Sequence, residues 1–515
     1  MVEESCPVCG SVALQPRSTT DTTMSTAAIG ATVTERDPTT TTERGVPSTG
    51  QHKPGPEAPG SASTFREVVD HNGRVYRVGE TDRDILGRSR RWMVILPWIA
   101  MMAISSSEYA FTSTEDTLAS AHGWRGAHIF WLLGVWVFFQ AAVAFPAGKM
   151  RESGTLSARA AMLLGALGTV LAYLALAYAP SVFWAYLGFG FFGGTGAGLV
   201  YATCVNMVGK WYPERKGGKT GFVNGGFAYG SVPFIFLFTS YMTLSNYGGV
   251  LVLVGLFLAA AVGVSGLFFK DPPKNWWPVH VDPLKVSDDP RVRRALAKNP
   301  PAVKQYTPRE AVKTGILPLM WFCLLCTAGV NICGIAFQVP FGKEMGFAGG
   351  IVALAMSLKA TINGTGRGVI GWVSDRYGRR QTLTIVCIIL GLSQFAVFFS
   401  GSIGSLPLFL LASMVSGFGG GAIFPLFAAM TADYFGENNN ASNYGLVYSS
   451  KLISGLVGAG IGAVVVATWG YGGAFILAGS IGLFTGALSI LLHQPGRPRL
   501  KDVQPNPLPI SRTVM

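Results

Sequence analysis

The chain has 515 residues, 49% of them hydrophobic and only 13% charged, whereas a soluble domain carries about 25% charge. That balance excludes an ordinary soluble globular protein, and the 66 glycines fit membrane helices, where glycine is more frequent. The net charge of +13 reads as basic loops facing anionic lipid, and no nucleic-acid partner is expected.

Residues 1–88 are rich in Thr, Ser, Pro and Gly, as in ATVTERDPTTTTERGVPSTG, and are expected to form a disordered cytoplasmic tail. The tail has no apolar core after a basic start, so it is not a signal peptide. Cys6 and Cys9 have metal-like spacing, but no second pair completes a site. The seven cysteines form no secreted disulfide framework. No metal and no cofactor is expected.

Long apolar runs follow Arg88, Arg90 and Arg91. They predict helices near 92–112, 124–147, 158–178, 182–208, 219–240 and 247–269. After a polar stretch a second series lies near 314–340, 350–372, 382–400, 405–430, 443–467 and 471–492. Each run is long enough to cross roughly 30 Å of hydrocarbon. The expected fold is therefore an all-α membrane protein with twelve transmembrane helices in two six-helix halves. Its parts are an N-terminal half at 89–270, a cytoplasmic central loop at 271–313, a C-terminal half at 314–492 and a cytoplasmic tail at 493–515. Lys210, Arg215, Lys216, Arg291, Arg293, Arg376, Arg379 and Arg380 fall on one side of this arrangement, against chiefly Arg125 and Lys343 on the other. By the positive-inside pattern both termini are cytoplasmic, and the expected location is the plasma (inner) membrane, multi-pass.

The loop after the eighth run reads GWVSDRYGRR, and the loop after the second reads GKMRESG. Each has a glycine followed four residues later by a carboxylate: Gly371 and Asp375 in one, Gly148 and Glu152 in the other. The residues admit a solvated basic loop or a conformational latch. The ordered set Gly371, Asp375, Arg376, Gly378 and Arg379, with Glu152 as its degraded counterpart, favours the latch, because a carboxylate at a helix end can bond backbone donors or a neighbouring arginine.

Few ionisable residues lie well inside the runs: Glu108, Lys359, Arg367 and Lys451. A charge at the bilayer centre costs at least ~2.5 kcal/mol, so such residues face a cavity or a partner. Lys451 shares a helix face with Gly455, Gly458 and Gly462, and Asn363 shares one with Arg367 and Gly371. A glycine stripe permits close packing or leaves room for a ligand. A guanidinium fork and an ammonium together predict a small organic anion, with carboxylates matching the fork. Tyr109, Tyr201 and Tyr448 lie near these charges in sequence, and each can donate to a carboxylate oxygen or simply pack.

The motifs GWVSDRYGRR at 371–380, KWYPERKGGKTGFVNGGFAYGS at 210–231, SSEYAF, GTGAGLVYATC, NGTGRGVIGWVSDRYGR and NYGLVYSSKLISG resemble those of the major facilitator superfamily, and within it the oxalate/formate antiporter family. The resemblance covers about 91–492. It implies a carrier of oxalate- or formate-like mono- or dicarboxylates working by alternating access, without enzymatic activity. It implies Arg367 and Lys451 as the anion-binding pair, Tyr109 and Tyr201 as site aromatics, and a monomer in lipid. Anion exchange is the main expectation, because two desolvated cations resist closure without an anion. Glu108 departs from the family pattern. It can salt-bridge a site cation in the empty carrier or take up a proton, which gives proton-coupled symport as the alternative. Lys359 is an auxiliary cation that draws anions inward, binds a larger acid or pairs with Glu108. A non-transporting membrane anion sensor is the reading from a different class. A membrane enzyme is disfavoured: the six histidines form no spaced cluster, and Cys323 and Cys326 sit in an apolar run.

Overall fold

The computed structural model describes residues 66–69, 75–273, 275–282, 290, 298–300, 302–436 and 439–496. The Cys6–Cys9 pair and the tail after residue 496 lie outside them. The apolar runs form long helices: α1 (Trp92–Tyr109), α2 (Gly126–Glu152), α3 (Ala158–Tyr178), α4 (Val182–Trp211), α5 (Gly218–Ser240) and α6 (Tyr247–Leu267). Then come α7 (Ile316–Glu344), α8 (Gly349–Tyr377), α9 (Arg379–Ser402) and α10 (Leu406–Phe435). The last apolar stretch breaks at Gly470, whose φ of 68° and ψ of 178° no helix tolerates; α11 is 440–469 and α12 is 471–489.

Among the described residues nine helices are long and apolar enough to cross a membrane, or ten if α1 and the bent Phe111–His122 segment are one span. Ser442–Ser489 counts once in that tally although Gly470 divides it. Helix α8 is not among the nine, because Lys359, Arg367, Asp375 and Arg376 dilute its apolar run. The molecule is an all-α, multi-pass membrane protein, with one small sheet among the described residues.

That sheet falls partly in the stretch expected to be disordered. Strands β1 (Arg66–Val69) and β2 (Val75–Val78) pair antiparallel, and β2 pairs parallel with β3 (Trp276–Trp277), which follows α6. A short capped helix, Asp82–Leu86, follows β2. The local sequence VYRV is strand-like, and its partner lies about 200 residues away, beyond the reach of a compositional reading. Arg90 ties this sheet to the bundle. Its guanidinium pairs with Glu214 at 2.9 Å, donates to the Trp211 carbonyl at 2.9 Å and lies over the Tyr212 and Trp276 rings.

Glycine decides how the helices close. In α10 a Cβ at Gly417 or Gly421 would sit 2.9 Å from the Cα of Lys359 or Asn363. Helix α8 therefore lies directly on the glycine face of α10, and its side chains are held at fixed depth. Substituting Gly417→Ala or Gly421→Ala pushes backbone against backbone. The expected cost is about 1–3 kcal/mol, read as a lower unfolding temperature of the detergent-solubilised protein. Gly368→Ala, with nothing within 4 Å, should leave it unchanged.

Candidate anion-binding site

Arg367 projects from α8 and is 3% exposed. Among the described residues its guanidinium is held by neutral acceptors alone. Nη1 donates to Asn224 Oδ1 at 2.8 Å, and Nη2 to Asn363 Oδ1 at 2.9 Å and to the Tyr109 hydroxyl at 3.1 Å. Tyr109 in turn donates to Asn363 Oδ1 at 3.2 Å. Asn363 stands one turn before Arg367 on the same face, which is why the pair meets.

Lys451 projects from α11 and is 2% exposed. Its Nζ lies 3.2 Å from Glu108 Oε2 and donates to Gln140 Oε1 at 2.9 Å. Glu108, from α1, is itself 3% exposed. This is a buried ion pair between residues 343 positions apart. Gln140 Nε2 is buried with no hydrogen-bond partner, an open donor beside the ammonium.

Two phenylalanines join the cations. The Phe227 ring lies 5.8 Å from the Arg367 guanidinium carbon and 5.5 Å from Lys451 Nζ. The Phe424 ring lies 5.4 Å from the first and 5.7 Å from the second. Cation–π attraction is worth more when desolvated, about 2 kcal/mol, so the rings stabilise both charges without neutralising either. Tyr201 stacks on Tyr448 at 6.0 Å and meets Phe227 edge-on at 5.5 Å. Tyr448 packs near Phe424 at 6.2 Å.

The structure thus brings Arg367, Lys451, Glu108, Tyr109, Asn363, Tyr201 and Tyr448 into one buried cluster. Tyr109 acts through its hydroxyl, whereas Tyr201 and Tyr448 meet ring to ring. The sequence reading missed Gln140, Asn224, Phe227 and Phe424; Asn224 and Phe227 sit inside the quoted stretch KWYPERKGGKTGFVNGGFAYGS. The glycines of α11 pack on neighbouring helices, and Gly458 and Gly462 also line an apolar cavity of about 170 Å³ with Val330, Cys333 and Ala474, which Lys451 does not line. Gly455 packs on Val137 and Gly134 of α2, Gly458 on Gly329 of α7 and Gly462 on Phe337 of α7. Lys359 does not pair with Glu108. Its Nζ lies among Gly334, Gln394 and Cys333 in the C-terminal part of the chain.

The second motif centres on Arg379. It pairs with Asp375 at 2.5 Å and with Asp433 of α10 at 3.0 Å, and it donates to the Gly371 carbonyl at 3.3 Å. Gly378, at φ 99°, makes the turn that delivers it. Arg376 is exposed and lies over its own neighbour Tyr377. The Glu152 side chain lies outside the described residues. In the corresponding place after α2, Arg151 pairs with Asp271 at 3.0 Å, a bond the sequence comparison did not anticipate. At the opposite end of the bundle, Lys343 of α7 pairs with Asp116 and Thr112 donates to the Ile335 carbonyl at 3.3 Å.

The buried pair gives a direct test. Removing one partner of a buried ion pair costs about 3–5 kcal/mol, because the other charge stays buried alone. Glu108→Gln should therefore unfold at lower temperature than the double variant Glu108→Gln/Lys451→Met, and a thermal-unfolding double-mutant cycle reads the coupling.

The sequence model of the Major Facilitator Superfamily matches residues 97–407 and 369–514. The oxalate:formate antiporter of Oxalobacter formigenes is 25% identical over 320 residues, covering 61% of this chain and 71% of that protein. Monocarboxylate transporter 12 of Rattus norvegicus is 25% identical over 361 residues, covering 65% and 72%. Among solved structures, the human organic anion transporter MFSD10 superposes with a TM-score of 0.56 at 16% identity, over 78% of this chain and all of that one; at that identity the likeness concerns the fold.

Proposed function

The chain belongs to the Major Facilitator Superfamily, and from that premise we propose that it carries small organic anions across a membrane by alternating access, coupled to a proton at Glu108. The carrying observation is the buried Lys451–Glu108 pair at 3.2 Å. The reading takes the bundle as twelve spans in two halves of six, with both termini cytoplasmic. That count follows when the bent first segment, the charged α8 and both sides of Gly470 are each a span.

Charge arithmetic sets the ligand. Arg367 and Lys451 contribute two positive charges and Glu108 one negative, leaving one uncompensated in the closed site. A monocarboxylate balances it, with Arg367 offering the fork. When Glu108 takes a proton, Lys451 is released and the site holds two positive charges, enough for a dicarboxylate. Gln140 Nε2 supplies a further donor to a carboxylate oxygen, and Phe227 and Phe424 cover its body. The relatives' names, an oxalate:formate antiporter and a monocarboxylate transporter, support this substrate class.

The cycle follows. In the empty carrier Glu108 satisfies Lys451, and Asn224 and Tyr109 satisfy Arg367, so closure needs no anion. Opening to one side breaks these bonds and wets the cations. Protonation of Glu108 frees Lys451 for substrate, and the site loaded with a dicarboxylate closes neutral. On the far side deprotonation returns Glu108 to Lys451 and expels the anion. The Arg379–Asp433 and Arg151–Asp271 pairs act as latches at one end, and Asp116–Lys343 at the other.

Anion exchange is the second reading, supported by Arg367 having no carboxylate partner among the described residues. Proteoliposome uptake separates the two. Under proton coupling, uptake of labelled oxalate proceeds without internal anion and rises with external acidity. Glu108→Gln should lose that acid dependence and net accumulation while keeping exchange against internal substrate. Uptake that stops without internal anion in the native protein would replace symport by exchange. Arg367→Gln, with normal membrane content, should lower saturable uptake at least ~100-fold, as expected for removing a charge-assisted bidentate contact of about 3 kcal/mol.

A further inference from the structure

One amide oxygen carries much of the Arg367 grip. Asn363 Oδ1 accepts from Arg367 Nη2 at 2.9 Å, from Arg367 Nε at 3.3 Å and from the Tyr109 hydroxyl at 3.2 Å. Only the oxygen end of the amide can do this. The other end, Nδ2, would set a donor against the donors of the guanidinium. Which way the Asn363 amide faces is therefore part of the site.

A residue on the neighbouring helix holds that orientation. Asn363 Nδ2 donates to Asn331 Oδ1 at 3.4 Å. Asn331 lies midway along α7, in the otherwise apolar stretch AGVNICGIAF, and is 2% exposed. A buried amide in such a stretch needs polar company. Adjacent glycines of α10 seat both asparagines. A Cβ at Gly420 would collide with Asn331 Oδ1 and lie 2.7 Å from its Cγ, and one at Gly421 would lie 2.9 Å from the Asn363 Cα. Bare backbone at these two positions lets α7 and α8 both settle against α10, where one amide reaches the other.

The partners of Arg367 divide by origin. Asn363 and Asn331 come from α8 and α7, whereas Tyr109 and Asn224 come from α1 and α5. On the function proposed above, on which this inference rests, opening the carrier withdraws Tyr109 and Asn224 and leaves Asn363 beside the guanidinium. We propose that Asn331 is a positioning residue for the substrate. It fixes the Asn363 amide, which keeps the Nε–Nη2 side of Arg367 and presents the Nη1–Nη2 end to a carboxylate, fork to fork. Asn331 itself touches no anion. Setting the fork beforehand removes the cost of ordering it when the anion arrives.

Two measurements on the full chain test this. The first is the concentration dependence of labelled oxalate uptake into proteoliposomes. Asn331→Leu keeps the branched shape but removes the acceptor. It should raise KM at least ~10-fold, the effect of weakening one charge-assisted hydrogen bond, and leave the maximal rate per reconstituted protein within about twofold. A merely structural role would lower the maximal rate and leave KM in place. The second is a thermal-unfolding cycle in detergent that combines Asn331→Leu with Asn363→Leu. If Asn331 acts through Asn363, the double variant loses less than the sum of the two single losses. Asn331→Ser, too short to reach Asn363, replaces Asn331→Leu in both measurements if the latter does not fold. An unchanged KM, or unfolding losses that simply add, overturns the proposal. If the native protein takes up no oxalate, the proposed function fails on its own. The unfolding cycle needs no substrate and still decides whether Asn331 works through Asn363.

Discussion

Two positive charges buried between helices cannot be left without acceptors, and nearly every acceptor they have comes from the other end of the chain. Lys451 of α11 is met by Glu108 and Gln140 from α1 and α2. Arg367 of α8 is met by Tyr109 and Asn224 from α1 and α5, with only Asn363 from its own helix. Parting the N-terminal helices from the C-terminal ones therefore strips both cations at once. That is several kcal/mol per ion unless water or substrate replaces the lost partners. A cluster of this kind is a natural hinge for a carrier, because what fills it decides whether the helices around it can close.

The rest of the bundle holds that cluster at fixed geometry. The glycine face of α10 lets α8 lie backbone to backbone, so Asn363 and Arg367 reach the centre at a set depth. The glycines of α11 do the same against α2 and α7, and Lys451 crosses from α11 to Glu108. Phe227 and Phe424 each touch both cations and keep water from them. The packing thus makes the electrostatics strict: in a dry, tightly packed centre, one proton or one carboxylate changes the balance.

The charged part of this site was legible in the sequence because a charge in an apolar run has few harmless explanations. Glu108, Arg367 and Lys451 stand out on that ground, and Asn363 follows from its spacing to Arg367. Which charge meets which is a property of helix neighbours, not of spacing within a helix. The Lys451–Glu108 pair was one of several options, and Lys359 turned out to face its own bundle. Gln140, Asn224, Phe227 and Phe424 are common residue types in membrane helices and carry no signal alone. The glycines of α11 were ambiguous for the same reason, since one stripe serves a neighbouring helix or a ligand equally well. Most helix boundaries were readable from length and hydropathy. The β1–β2–β3 sheet was not, because its third strand is only two residues long and lies far along the chain.

The central claim is that Glu108 compensates Lys451 in the empty carrier and yields it to substrate by taking a proton. Its most direct measurement is proton movement itself. Vesicles containing the protein and a trapped pH-sensitive dye are given an inward oxalate gradient with the membrane potential clamped. The account predicts acidification of the lumen that follows oxalate entry and disappears in Glu108→Gln. Oxalate entry with no change in lumen pH would contradict it.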